Sequence, residues 1–169
     1  HIAGLTKLAN TIHRYGAVAG LHLAVAGRQA NPNLFFSDEE CAMGPSAMGP
    51  SPLFNAACRE MTEAEIWQAI ENMAAAAVRV KKAGFDIVLP NAAHGYLLAQ
   101  FLSPHTNRRT DAWGGSPEKR CKFFRETFKA VREAVGSDML VWTKISVKEP
   151  VDDGSNLEEA TRFLPEGVK

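Results

Sequence analysis

The chain is poor in cysteine, in charge of one sign and in long apolar runs, and each shortage excludes something. Its 169 residues include three cysteines, Cys41, Cys58 and Cys121, with no Cys-x-x-Cys pair among them. That spacing speaks against a zinc site or an iron–sulfur cluster held within the segment, and reads as the reduced thiols of a cytoplasmic protein. Lys plus Arg total 19 and Asp plus Glu total 19. No net field therefore draws the chain to nucleic acid or to an anionic membrane. No apolar run is long enough to span a bilayer, and no basic region followed by a small-residue cleavage site opens the sequence. No Gly-x-Gly-x-x-Gly follows any candidate strand, so the dinucleotide fingerprint is missing.

What is present is an alternation of helix and short strand. Leu5, Leu8, Ala9 and Ile12 set out one apolar face of a helix from Leu5 to Tyr15, with Gly16 where a C-terminal cap belongs. Ala17 to Ala24 reads as a buried strand. From Arg28 to Glu60 the sequence is rich in Pro, Gly, Ser and Asn, and Ala-Met-Gly-Pro-Ser occurs twice in tandem, at 42–46 and 47–51. Loops this long inside a domain are usually functional or disordered. Thr62 with Glu65 predicts a capping box, and Ile66, Ile70, Met73, Ala77 and Val80 continue that helix at helical spacing up to Gly84. Phe85 to Leu89 has the continuous apolar character of a strand covered on both faces. Ser116-Pro117 opens a further helix, with Cys121, Phe124, Phe128, Val131 and Val135 inward and Gly136 at its end. Met139 to Ser146 predicts a third strand, and another helix begins at Leu157. Alternating units of this kind predict an α/β fold with a parallel sheet. Periodicity leaves a barrel and an open doubly wound sheet equally possible.

The run from Ala83 to Ser116 narrows the choice. It contains Asn91-Ala-Ala-His94-Gly-Tyr96-Leu-Leu, then Phe101-Leu-Ser-Pro104, then Gly114-Gly-Ser116. This resembles the fourth-strand region and following loop of old yellow enzyme-type reductases, closest to the NADH:flavin oxidoreductase, 2-enoate and 2,4-dienoyl-CoA reductase branch. Gly27-Arg28, Arg120 to Phe124 and Thr143-Lys-Ile-Ser146 fit in the same order, so the likeness covers nearly the whole chain. The resemblance implies a partial (β/α)₈ barrel, about strands three to five with flanking helices, as one fragment of an FMN-binding domain with 28–60 as a long loop insertion. A complete barrel needs about 250 residues, and the chain begins at His1 rather than Met. The expectation is an internal piece that does not close, or hold FMN tightly, by itself.

The resemblance also implies roles. In the family, NADH or NADPH reduces FMN, which then passes hydride to an activated C=C bond of an α,β-unsaturated carbonyl or enoate. Asn91 and His94 match the pair of donors to the substrate carbonyl, an oxyanion-hole arrangement. Tyr96 matches the tyrosine that delivers the proton; phenols, with pKa values near 10, are protonated at neutral pH. Lys144 stands where the family has an arginine at the flavin pyrimidine edge, keeping the charge without the planar fork. His22 stands where a flavin-binding glutamine is frequent. Arg28 reads as a loop organiser, and Arg109 with Asp111 as an internal ion pair. Departures from the pattern are Val25 in place of a histidine, Pro90 just before Asn91, and Trp113 in place of a tyrosine. Two other readings stay open: a barrel lyase forming a Schiff base on a desolvated Lys144, and a truncated fragment without catalysis. A metal site from His22 and His94 lacks a third ligand.

Overall fold

Helix and strand resolve into a parallel sheet with helices packed on one side. The computed structural model describes residues 1–34, 41–51 and 56–161. In order it contains α1 (Ile2–Arg14), β1 (Gly20–Leu23), β2 (Ala42–Gly44), β3 (Cys58–Glu60), α2 (Glu63–Lys82), β4 (Ile87–Ala92), α3 (Leu97–Leu102), α4 (Pro117–Arg120), α5 (Lys122–Val135), β5 (Leu140–Val141) and β6 (Lys144–Ile145). β4 lies in the middle. β1 pairs with it on one side, with Leu21 opposite Val88 and His22 opposite Leu89. β5 and β6 follow one another along its other side, with Val88 opposite Val141 and Asn91 opposite Lys144.

The best-defined start signal is at α2. Glu65 N donates to Thr62 Oγ1, and Thr62 N donates back to Glu65 Oε2 at 2.8 Å, closing the capping box. Glu63 and Glu65 lie in the first turn and Arg79, Lys81 and Lys82 in the last, which complements the helix dipole. The five apolar positions read at helical spacing are all buried. Met73, Ala77 and Val80 of these join Val131 and Val135 of α5 in the cluster around Val88, which is 0% exposed. Phe101 and Phe123 stack at 4.2 Å in the other half of the core, under the ends of the strands. Removing a fully buried ring such as Phe101 costs about 3–5 kcal/mol.

The sheet's other face is bare among the described residues. Strand alternation puts Gly20 and His22, Ile87 and Leu89, and Leu140, Trp142 and Lys144 on it. Leu140 is 56% and Trp142 59% exposed. Trp142 and Lys144, two residues apart, thus share one face.

Several expectations change. The third strand is not continuous from Met139 to Ser146 but splits at 142–143. Opposite the split stands Pro90, whose carbonyl points at this strand and accepts from Thr143 Oγ1 at 2.8 Å. Proline has no N–H to return, so the ladder is interrupted there. Trp142 N still donates to Val88 O and Ser146 N to Ala92 O, which keeps the register. The segment 97–102, read as loop, is the helix α3. The helix opened by Ser116 is interrupted at Cys121, although Cys121 N–H reaches Pro117 O and carries the axis on. The first helix starts at Ile2, and Leu8 at the edge of its apolar stripe is 51% exposed.

The span 28–60 is also more ordered than its composition suggests. It holds two 3-10 turns, Gly27–Gln29 and Pro32–Leu34, and a parallel β2–β3 ladder. Residues 35–40 and 52–55 of that span lie outside the described residues, as do residues 162–169, which follow the helical residues 157–161. Arg109 ties this span down. Its guanidinium donates to Pro45 O and Met61 O at 2.9 and 2.7 Å and pairs with Glu60 and Asp111. The expected Arg109–Asp111 ion pair is present, and it holds the Asp111 carboxyl below its usual range.

Candidate active site

β4 ends in a turn that gathers three of the predicted residues. Asn91, buried in the last part of the strand, accepts from Ala93 N through Oδ1 at 2.9 Å. That bond fixes the amide's orientation, so Nδ2 is the group facing His94 Nδ1 at 3.3 Å. An amide nitrogen only donates, which leaves Nδ1 as acceptor and places the imidazole proton on Nε2. His94 thus offers an Nε2–H donor, and Asn91 keeps a second Nδ2–H beside it. The Tyr96 ring stands edge-on to the imidazole at 6.2 Å, and Tyr96 is the N-cap of α3. Asn91 lies in register with Lys144.

His94 is the one non-glycine residue with positive φ among the described residues, at 60°. For an L-residue this left-handed geometry costs on the order of 1–2 kcal/mol and persists only where neighbours enforce it. Here they do so on both sides of the residue. His94 N donates to Ser146 Oγ, and Gln29 Nε2 donates to His94 O. Gln100, 1% exposed, donates to Gly95 O and Ala26 O at 2.7 and 3.0 Å and accepts from Arg28 N at 3.1 Å. Arg28 is therefore a loop organiser, through its backbone. Ser146, Gln29 and Gln100 have no place in the residue-by-residue expectation. One signal for Gln100 was available: a polar side chain in the otherwise apolar run Leu97-Leu-Ala-Gln-Phe-Leu102.

Lys144 is on the strand beside Asn91 and is exposed, with no ion-pair partner among the described residues. The bare face leaves its side chain uncovered among the described residues. His22, also exposed, lies on the same face, opposite Leu89 and two residues below the level of Asn91. Arg28 Nε is buried without a partner among the described residues. Among the described residues these N–H donors, with the Lys144 cation, fit a planar ring carrying carbonyl oxygens and an acidic edge. Among the described residues no three His, Cys, Asp or Glu side chains gather as a metal site, and no helix is long and apolar enough to cross a membrane.

Fold and rim together define an α/β chain with its polar chemistry at the C-terminal ends of parallel strands. Residues 1–166 match the NADH:flavin oxidoreductase / NADH oxidase family, and the chain belongs to that family. The family's members use FMN with NADH or NADPH as reductant. The chain is similar to the NADH oxidase of Thermoanaerobacter brockii, 40% identical over 166 residues, covering 96% of this chain and 25% of that protein. It is 38% identical over 165 residues to the NADPH dehydrogenase of Geobacillus thermodenitrificans, covering 97% of this chain and 46% of that protein. The crystal structure of Old Yellow Enzyme from Pichia sp. AKU4542 superposes with a TM-score of 0.83 at 30% identity, over 96% of this chain and 45% of that one. The chain thus spans less than half the length of each of these relatives.

Proposed function

We propose that this chain supplies about strands three to five, with their helices, of a flavin-binding (β/α)₈ barrel. The protein it belongs to is then an FMN-dependent reductase of activated C=C bonds. The bare sheet face supports the first part: Leu140 and Trp142 are too exposed for a finished surface, and further barrel strands would cover them. The observation that supports the second part best is the Asn91–His94–Tyr96 cluster at the end of β4, on the strand beside Lys144. Active sites of such barrels lie at that end of the strands.

FMN, when bound, would take electrons from NADH or NADPH and pass a hydride to the alkene. Lys144 and His22 would hold its ring from the strand face, with Lys144 facing the pyrimidine edge. The Nε2–H of His94 and the free Nδ2–H of Asn91 would donate to the carbonyl or carboxylate oxygen of an α,β-unsaturated substrate. Both donors are in place before the reaction, so charge developing on that oxygen needs no reorganisation of the protein. The Tyr96 phenol would give its proton to the carbon opposite the hydride and recover it from water.

Under anaerobic conditions a 2-enoate should reoxidise the reduced, FMN-loaded protein extended beyond both ends of this chain. The isolated 169-residue segment should purify colourless. An extended protein that takes up no FMN, or whose reduced form no enoate or enone reoxidises, would sink the reading. Borohydride trapping of a carbonyl compound on Lys144 would replace it with the lyase.

A further inference from the structure

We propose that Gln100 is the positioning residue that holds His94 in its strained conformation and in a single tautomer. The proposal rests on the donor role given to His94 above. Gln100 sits on the first full turn of α3, where its own N–H closes the helix on Tyr96 O at 2.8 Å. Its side chain leaves the helix and spends all its hydrogen-bonding capacity but one lone pair on two other loops: the turn at Gly95, and the turn at Ala26–Arg28 after β1. Thr106 Oγ1 then donates to Gln100 O at 2.7 Å, locking the helix from behind.

Two further features show that the surroundings are shaped around this amide. Gly27 has φ of 60°, and a Cβ there would collide with the Gln100 amide, so only glycine lets the loop close on it. Leu97 N donates to Val25 O, joining the same two loops a second time. The positive φ of His94 thus falls between a strand fixed by the sheet and a glycine carbonyl fixed by Gln100. Without the Nε2 donation the Gly95 carbonyl is free to turn, His94 can relax to negative φ, and the Asn91–His94 contact that sets the tautomer is lost. Buried at 1% exposure, Gln100 reaches no solvent or bare strand face itself. It acts through His94.

The test uses the FMN-loaded full-length protein with Gln100→Met and Gln100→Glu, and Gly27→Ala as a variant that disturbs the same contact while keeping Gln100. Reoxidation by a 2-enoate should slow at least about tenfold in kcat, since displacement of an active-site group by about 1 Å can cost 10²-fold. FMN affinity should stay within about threefold, because none of these side chains faces the flavin. In proteins labelled at histidine, the His94 ring resonances should change from one Nε2–H tautomer to an averaged pattern. Val135→Ala, a destabilising change at the far end of α5, should leave those resonances and the rate as they were. The double variant His94→Ala with Gln100→Met should be no slower than His94→Ala alone. Wild-type kcat with an unchanged His94 spectrum in Gln100→Met or Gly27→Ala would overturn the proposal, as would losses that multiply in the double variant. If His94→Ala itself runs at full rate, the donor role has failed, and the tautomer spectrum alone decides whether Gln100 positions His94.

Discussion

The two ends of β4 lie five residues apart and are built in opposite ways. At its entrance, Asp86 Oδ2 accepts from His13 Nε2 at 2.7 Å and from Ala19 N at 2.8 Å. Its backbone carbonyl takes Leu140 N. One exposed aspartate, through its carboxylate and its backbone carbonyl, thus joins α1, the start of β1 and the start of β5 in relaxed geometry. At its exit, Asn91 and His94 are held together through a left-handed residue, a buried amide and three loops. The entrance group spends its acceptors in relaxed geometry; the exit group carries the strained backbone. Strain at the exit is tolerable because the entrance and the helix-covered core carry the stability.

The contrast can be broken by mutation. The largest effect is expected for Tyr96→Phe, which removes the proposed proton donor. Reoxidation of the reduced protein by an enoate should slow by about 10²–10⁴-fold while reduction by NAD(P)H keeps its rate. Equal slowing of both half-reactions in stopped flow would remove Tyr96 from the proton step. Next, His94→Ala should slow the same step by about 10²–10³-fold, as for a lost oxyanion donor. His94→Gly should be as slow yet raise the melting temperature, because glycine relieves the positive φ. A lower melting temperature for His94→Gly would mean that the imidazole contributes to stability rather than to chemistry.

At the entrance the expectation reverses. Asp86→Asn should lower stability by no more than about 1 kcal/mol, as for exposed ion pairs, and leave turnover alone. His13, and then the Ala19 N–H, hold the Asp86 carboxyl below its usual range. A depressed carboxylate stabilises the fold above its unfolded pKa, and that contribution is lost as pH falls through the folded value. Thermal melts of Asp86→Asn and the parent should therefore converge in acid. The smallest effect is at Glu65, where the Arg59 guanidinium, then the Thr62 N–H, bring the pKa from 4.5 down to about 2. Glu65→Gln should differ from the parent above about pH 4.5 and merge with it toward pH 2. The pair is about a third to a half exposed, so the difference is small. A gap between the two that widens in acid would contradict the assignment.

Legibility followed the range of the interaction. The α2 capping box, the inward faces of α2 and α5, and the Arg109–Asp111 pair follow from residues a few positions apart, and all were readable. The helix at Leu97–Leu102 was hidden because its run is short and apolar throughout, which period alone does not separate from strand or loop. The split of the third strand was hidden because its cause, Pro90, lies on a neighbouring strand more than fifty residues earlier. The exposure of Lys144 was hidden because exposure is decided by what covers the face, and not by a place in a strand.

By itself the sequence determined the family, the alternation of elements and which residue types reach the rim, because each is written in local spacing or in a contiguous motif. Tertiary structure alone decided the His94 tautomer, its left-handed backbone and the Gln100 anchor. Those depend on loops after different strands meeting at one end of a sheet, and no local pattern of residues encodes that meeting.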